Sequence, residues 1–200
     1  MNFNFLPNVR AGQGGARQKA LPLVAFPILL LLFFHSTPLG GQPVTNDHLL
    51  GAWDTMTEMV IETARKMPAE AYGYRPAESI RSFAEQINHV TMSNIGLGSM
   101  VFGKMPTFAL PNRKNPPTEK EKVIDILEKS FAYFKENLQS FKAEDLEKTV
   151  KWGPPQNQRE VTKLQGLLMI YSHMQLEYGK LTVYARMKGI EPHPSGGWSF

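Results

Sequence analysis

The chain has 200 residues, of which 42% are hydrophobic, with 22 Lys and Arg against 18 Asp and Glu and no Cys. This composition is typical of an ordinary globular domain and excludes disordered and fibrous proteins, while the lack of Cys excludes a disulfide scaffold, thiol catalysis and thiolate metal sites. The net charge of +4 suggests an anionic partner only if the basic residues belong to the folded part of the chain.

The amino-terminal segment has the pattern of a secretory signal peptide. Residues 1–19 carry three basic and no acidic residues, residues 20–34 are uninterruptedly apolar, and residues 36–41 are small or turn-forming. The apolar run is shorter than the ~20 residues that a membrane-spanning helix needs. We therefore predict a signal peptide over residues 1–41 and an exported protein, periplasmic or secreted, with an uncleaved membrane anchor as the alternative.

Removal of this segment lowers the net charge and with it the case for an anionic partner. It takes away three positive charges and no negative one, which reduces the net charge from +4 to +1. No cluster of Lys and Arg with interleaved aromatic residues remains, so we expect no nucleic-acid partner. Membrane contact is expected only through the N-terminal segment, if that segment is retained.

Apolar periodicity then predicts four helices in a single domain over residues 42–200. Their expected bounds are about 46–67, 82–103, 118–141 and 162–188. Capping boxes, in which a Ser or Thr and a Glu or Gln three residues later bond each other's backbone amides, are predicted at Ser82, Thr118 and Thr162. Gly189 is expected to end the fourth helix. Because no alternating strand pattern is present, we predict an all-α four-helix bundle.

The fourth helix differs from the third, whose outer face is rich in Lys and Glu. In the fourth helix, apolar residues occupy most of the circumference over residues 167–184, which predicts burial on two sides. One side can meet the bundle, and the other can meet a pocket or a second subunit.

Within this apolar surround lie His173 and Glu177, four residues apart and so on one face of the helix. Such a pair can share a metal ion or form an ordinary hydrogen bond. His89 on the second helix is a further candidate, since Ser93 and Gly96 on its side of the helix leave room for a ligand or a water. Without a metal, Lys180 can pair with Glu177 at the i, i+3 spacing.

Three segments, in this order, resemble the motifs of the DinB/YfiT-like superfamily. They are Tyr74-Arg-Pro76, Ser82-Phe-Ala-Glu-Gln-Ile-Asn-His89 and His173-x-x-x-Glu177-Tyr-Gly-Lys-Leu-x-x-Tyr-x-Arg-x-Lys-Gly-Ile-x-Pro192. The resemblance implies a four-helix bundle, often dimeric, with a divalent-metal site formed by one His of the second helix and a His-x-x-x-His pair of the fourth. Characterised relatives include thiol-dependent transferases and a maleylpyruvate isomerase.

By that resemblance His89 and His173 are metal ligands, and Glu177 stands where the last His of the family is expected. Two His and one Glu can bind zinc and leave a position open for water, or the exchange can mark a lineage that has lost the metal. Zinc and nickel are the metals to consider, and no nucleotide or organic cofactor is indicated.

Two hypotheses follow for the function. The first is a metal-dependent hydrolase or thiol transferase, in which the ion activates water or a substrate thiol. No separate general base is evident, because the capping box at Ser82 already accounts for Glu85. The second is a metal-free homodimer that acts as a binding or assembly module.

Overall fold

The computed structural model describes residues 44–193 and contains four α-helices and one β-hairpin. The helices are α1 (Asn46–Lys66), α2 (Phe83–Phe102), α3 (Lys120–Gln139) and α4 (Lys163–Met187), and the strands between α3 and α4 are β1 (Thr149–Trp152) and β2 (Arg159–Thr162). The predicted four-helix bundle is confirmed. The predicted signal peptide over residues 1–41 lies outside the described residues. Within those residues, no helix combines the length and the apolar character needed to cross a membrane.

Local signals define most of the helix ends. The Ser82 and Thr162 side chains each accept a hydrogen bond from the amide three residues on, and Glu85 and Gln165 return the bond, so both capping boxes are confirmed. Gly189 follows α4 with a φ of +71°, the left-handed conformation that ends helices. The capping box predicted at Thr118 is wrong: Glu119 is the N-cap residue, without a side-chain cap, and the helix begins at Lys120.

A fully buried tryptophan ties three helices together. Trp53 of α1 stacks on Phe134 of α3 with ring centroids 3.7 Å apart, and its edge contacts Tyr171 of α4 at 5.7 Å. The indole Nε1 donates to the Phe131 carbonyl at 3.3 Å, so its polar atom is also satisfied in the core.

The hairpin between α3 and α4 corrects the expectation that the chain has no strands. β1 and β2 pair antiparallel from Thr149 opposite Thr162 to Trp152 opposite Arg159. Strands of four residues are too short to show a clear alternating period, which is why the pattern missed them. The hairpin packs where α4 begins: a Cβ on Gly166 would lie 2.9 Å from Val101 and 3.3 Å from the Trp152 ring.

The connection between α1 and α2 is fixed to the bundle by tyrosines. The Tyr72 hydroxyl donates to the Ala64 carbonyl at 2.8 Å, and the Tyr74 ring meets the Tyr184 ring edge-on. Tyr184 in turn donates its hydroxyl to the Arg81 carbonyl at 2.6 Å. The backbone just before α2 is therefore held against α4.

Candidate metal centre

The α2 helix presents one contribution to the candidate site. The helix starts after the Ser82 cap and includes both Gln86 and His89. Because these residues are three apart in a helix, their side chains lie on the same side. Gln86 is buried, whereas the His89 side chain is 30% exposed. This face thus carries one buried amide and one imidazole that solvent can reach.

The α4 helix supplies the other two candidate ligands. His173 and Glu177 are four residues apart on the face turned toward α2. The Glu177 side chain is only 2% exposed, while that of His173 is 26% exposed. A nearly buried carboxylate therefore lies beneath two accessible imidazoles.

The three candidate residues are brought together around one oxygen atom. Oε1 of Glu177 lies 3.5 Å from Nε2 of His173 and 3.7 Å from Nε2 of His89, and all three groups offer ligand atoms within 4.8 Å of one another. Metal–ligand bonds of about 2.0–2.1 Å at tetrahedral angles place neighbouring ligand atoms roughly 3.3 Å apart. The donor set therefore fits a divalent ion once the ligand atoms, which lie within 4.8 Å of one another, move closer together.

Two further side chains bind the same carboxylate. Lys180 Nζ donates to Oε1 of Glu177 at 2.7 Å, and Gln86 donates its amide to Oε2. Burial by itself would raise the pKa of Glu177, but the hydrogen bonds from Lys180 and Gln86 outweigh it and lower that pKa. Glu177 is therefore an anion at neutral pH, with Lys180 as its counter-ion.

The electrostatic surroundings keep His89 neutral. Burial, followed by the positive charge of Arg81, lowers the pKa of His89 although Glu177 acts in the opposite direction. A neutral imidazole keeps the nitrogen lone pair that a metal needs. Nδ1 of His173 is buried and has no hydrogen-bond partner in the described part of the chain. The His173 ring therefore approaches Glu177 through Nε2, while within the described residues no acceptor binds its Nδ1.

The imidazoles open into a cleft of about 580 Å³, a volume typical of small-molecule sites. Its walls come from α2 and from the proline-rich loop before α3, and both His89 and His173 line it. The predicted space beside His89 is present, since Ser93 and Gly96 also line the cleft. The loop is tied to α2 by Asn88, whose amide donates to the Pro117 carbonyl at 2.7 Å.

The remaining described histidines lie away from the cluster. His48 serves the α1 cap by exchanging hydrogen bonds with Thr45. His193, at the end of the described chain, donates its amide to Thr63 and approaches Glu58. Neither contributes to the candidate centre.

Sequence reasoning missed three residues of the site. Gln86 had a usable signal, because it lies three residues before His89 on the same face of α2. Arg81 and Arg113 line the cleft from two separate loops, and nothing in their local sequence indicates that they face one space. Only the tertiary fold brings them together.

The protein is a four-helix bundle in which two imidazoles and a carboxylate converge beside an open cleft. This arrangement is typical of helical-bundle proteins whose candidate metal ligands come from facing helices. The chain belongs to the DinB superfamily, whose sequence model matches residues 52–179, more than half of its length. A search of curated proteins found no match.

Three solved structures share the fold. A DinB-like protein from Bacillus cereus ATCC 10987 has 19% identity and a TM-score of 0.64, with 74% of this chain and 95% of that one covered. A DinB-like protein from Bacillus subtilis has 17% identity and a TM-score of 0.57 over 73% and 95% of the two chains. A conserved protein from Enterococcus faecalis has 20% identity and a TM-score of 0.57 over 74% and 98%. At these identities the likeness establishes the fold alone.

Proposed function

We propose that this protein is an exported, divalent-metal-dependent enzyme of the hydrolase or thiol-transferase type, with zinc or nickel held by His89, His173 and Glu177. The convergence of both imidazoles on Glu177 Oε1, at 3.5 and 3.7 Å, carries the proposal. The export part rests on the sequence of residues 1–41 alone. When bound, the ion would supply Lewis-acid activation of water or of a substrate thiol.

The protein's own residues have separable roles in this proposal. The Gln86 amide holds Oε2 of Glu177 and so leaves Oε1 facing the two imidazoles. His89 and His173 also line the cleft, so a ligand there would lie directly beside the centre. Such outer hydrogen bonds orient ligands and typically matter for metal affinity.

Metal titration tests the proposal directly. Tag-free protein, stripped of metal, is expected to bind one equivalent of zinc or nickel in calorimetry and to gain thermal stability on binding. His89→Ala and His173→Ala should each abolish the stoichiometric site, because two ligands rarely hold the ion alone. His48→Ala is the matched control, since that histidine only caps α1. Unchanged binding in both site variants would refute the assignment.

The ion pair between Lys180 and Glu177 favours a second candidate, a metal-free binding or assembly module. A buried carboxylate needs a partner, and the ammonium at 2.7 Å supplies one without any metal. The same titration separates the two functions, because a module of this kind would show neither stoichiometric metal binding nor a shift in thermal stability.

We also propose that the protein acts as a homodimer through the outer side of α4. Leu168, Leu176, Val183 and Met187 are each more than half exposed and lie on one side of that helix. Monomeric proteins rarely leave such an apolar patch in water.

Sedimentation tests the dimer. Wild-type protein at micromolar concentration should sediment as a dimer, and Leu176→Glu should convert it to a monomer because a charge would be buried in the interface. Leu110→Glu, which changes an exposed leucine of the loop before α3, should leave the dimer intact. A monomeric wild type would rule out this interface.

A further inference from the structure

The charges of the cleft do not cancel. Three charged side chains other than the candidate ligands line it, namely Arg81, Glu85 and Arg113. Glu85 is already neutralised, because Arg75 pairs with it at 2.5 Å and the Ser82 amide donates to its other oxygen at 2.9 Å. Arg81 and Arg113 therefore line the cleft without an ion pair to any acidic residue of the described chain.

Neither arginine forms an ion pair in the described part of the chain, although Arg81 also lines a second cleft beside Tyr184. The arginine ion pairs found there involve Arg65 and Arg75, not Arg81 or Arg113. The backbone of each arginine is held in place. The Arg81 carbonyl accepts a hydrogen bond from the Tyr184 hydroxyl. Arg113 lies in a turn in which the Lys114 and Asn115 amides donate to Asn112. These guanidinium groups are therefore available to a ligand.

The rest of the wall is apolar. Met92, Leu97, Met100, Pro111 and Pro116 line the same cleft. Flexible thioethers adapt to ligands of irregular shape, and an apolar wall favours a ligand that carries hydrocarbon or aromatic surface. Two arginines together with an apolar wall favour a ligand that has an anionic group at one end and an apolar body.

We propose that the cleft binds a small organic carboxylate with an apolar body, whose charge pairs with Arg81 and Arg113 and which lies beside His89 and His173. Planar guanidinium groups match carboxylates through two parallel hydrogen bonds, which gives direction as well as charge. That this cleft is the substrate site rests on the proposed function. It names the substrate class that the metal centre would act on.

A matched pair of probes tests the proposal. 2-Naphthoate and 2-naphthamide have nearly the same shape and differ in charge. Calorimetry at low salt should show the carboxylate binding about tenfold or more tightly than the amide, as expected for charge-assisted hydrogen bonds. Equal affinities in the wild-type protein would overturn the proposal without any variant.

Substitutions then locate the charge. Arg81→Met and Arg113→Met should each weaken 2-naphthoate binding, and the double variant should remove the preference over the amide. Arg186→Met is the control, because Arg186 is exposed on α4 and does not line the cleft. An equal loss in the Arg186 variant would show general charge attraction and refute the site.

Measuring both probes with and without zinc separates this inference from the proposed function. Stoichiometric zinc binding without carboxylate preference would overturn the substrate class and leave the metal centre standing. Carboxylate preference that depends on both arginines, without zinc binding, would support the anion site and refute the metal-dependent enzyme.

Discussion

Replacing Lys180 with Met is expected to tighten zinc binding while destabilising the metal-free protein. The ammonium lies 2.7 Å from Glu177 Oε1, the same atom that faces both imidazoles. An incoming divalent ion must displace that ammonium or bind next to a like charge. Removing it should raise zinc affinity by about tenfold or more, which corresponds to roughly 1.4 kcal/mol for each factor of ten.

The loss of stability has the same origin. Without the ammonium, Glu177 keeps Gln86 as its hydrogen-bond donor within the described residues but has no lysine to balance its charge. The Lys180 side chain is 44% exposed but that of Glu177 only 2%, so loss of the ammonium leaves a buried carboxylate without its counter-ion, which is costly. The free energy of unfolding of the metal-free variant should therefore fall below that of the wild type.

Calorimetry with zinc and denaturant unfolding in a chelator measure the two effects. Lys151→Met, an exposed lysine of β1, removes the same charge far from the cluster and should change neither quantity. If Lys180→Met binds zinc no more tightly than Lys151→Met, the lysine does not compete for the carboxylate.

Replacing Trp53 with Ala should be among the most damaging single changes to the fold. The indole is fully buried, stacks on Phe134 at 3.7 Å and donates to the Phe131 carbonyl. Truncating a buried tryptophan creates a cavity and typically costs about 3–5 kcal/mol of unfolding free energy.

Urea unfolding followed by circular dichroism gives this number. Trp53→Phe should lose less, because it keeps an aromatic ring against Phe134, and Leu110→Ala should change little, since that side chain is 41% exposed and lies outside the proposed dimer interface. A loss for Trp53→Ala no greater than for Leu110→Ala would mean that the three-helix contact does not support the core.

The architecture was predictable because its signals are local and repeated. Ser82 and Thr162 lie at helix starts that a four-residue motif defines, and the apolar period sets the inward faces. Thr118 shows the limit of such motifs. It has the right spacing to Glu121, yet the helix starts after Glu119, so the Thr118 side chain is not at the N-cap.

The candidate centre was predictable only in part. His173 and Glu177 are paired by helical spacing, whereas the approach of His89 from another helix came from the family resemblance and not from any local pattern. The shared use of one carboxylate oxygen by Lys180 and the imidazoles depends on side-chain positions at sub-ångström scale. That Arg81 and Arg113 line the same cleft depends on how two loops close, and no periodic signal carries that information.

The missing side chain at Gly166 has a consequence for the cluster two turns further along α4. The hairpin and α2 approach the helix at this point so closely that a Cβ would lie 2.9 Å from Val101. The contact leaves no room for a side chain at position 166 and so restricts the rotation of α4 about its axis, where one residue of helix corresponds to about 100°. A turn of that size would carry Glu177 away from His89. A position that bears no functional group thus helps to hold α4 in the orientation that brings Glu177 to His89.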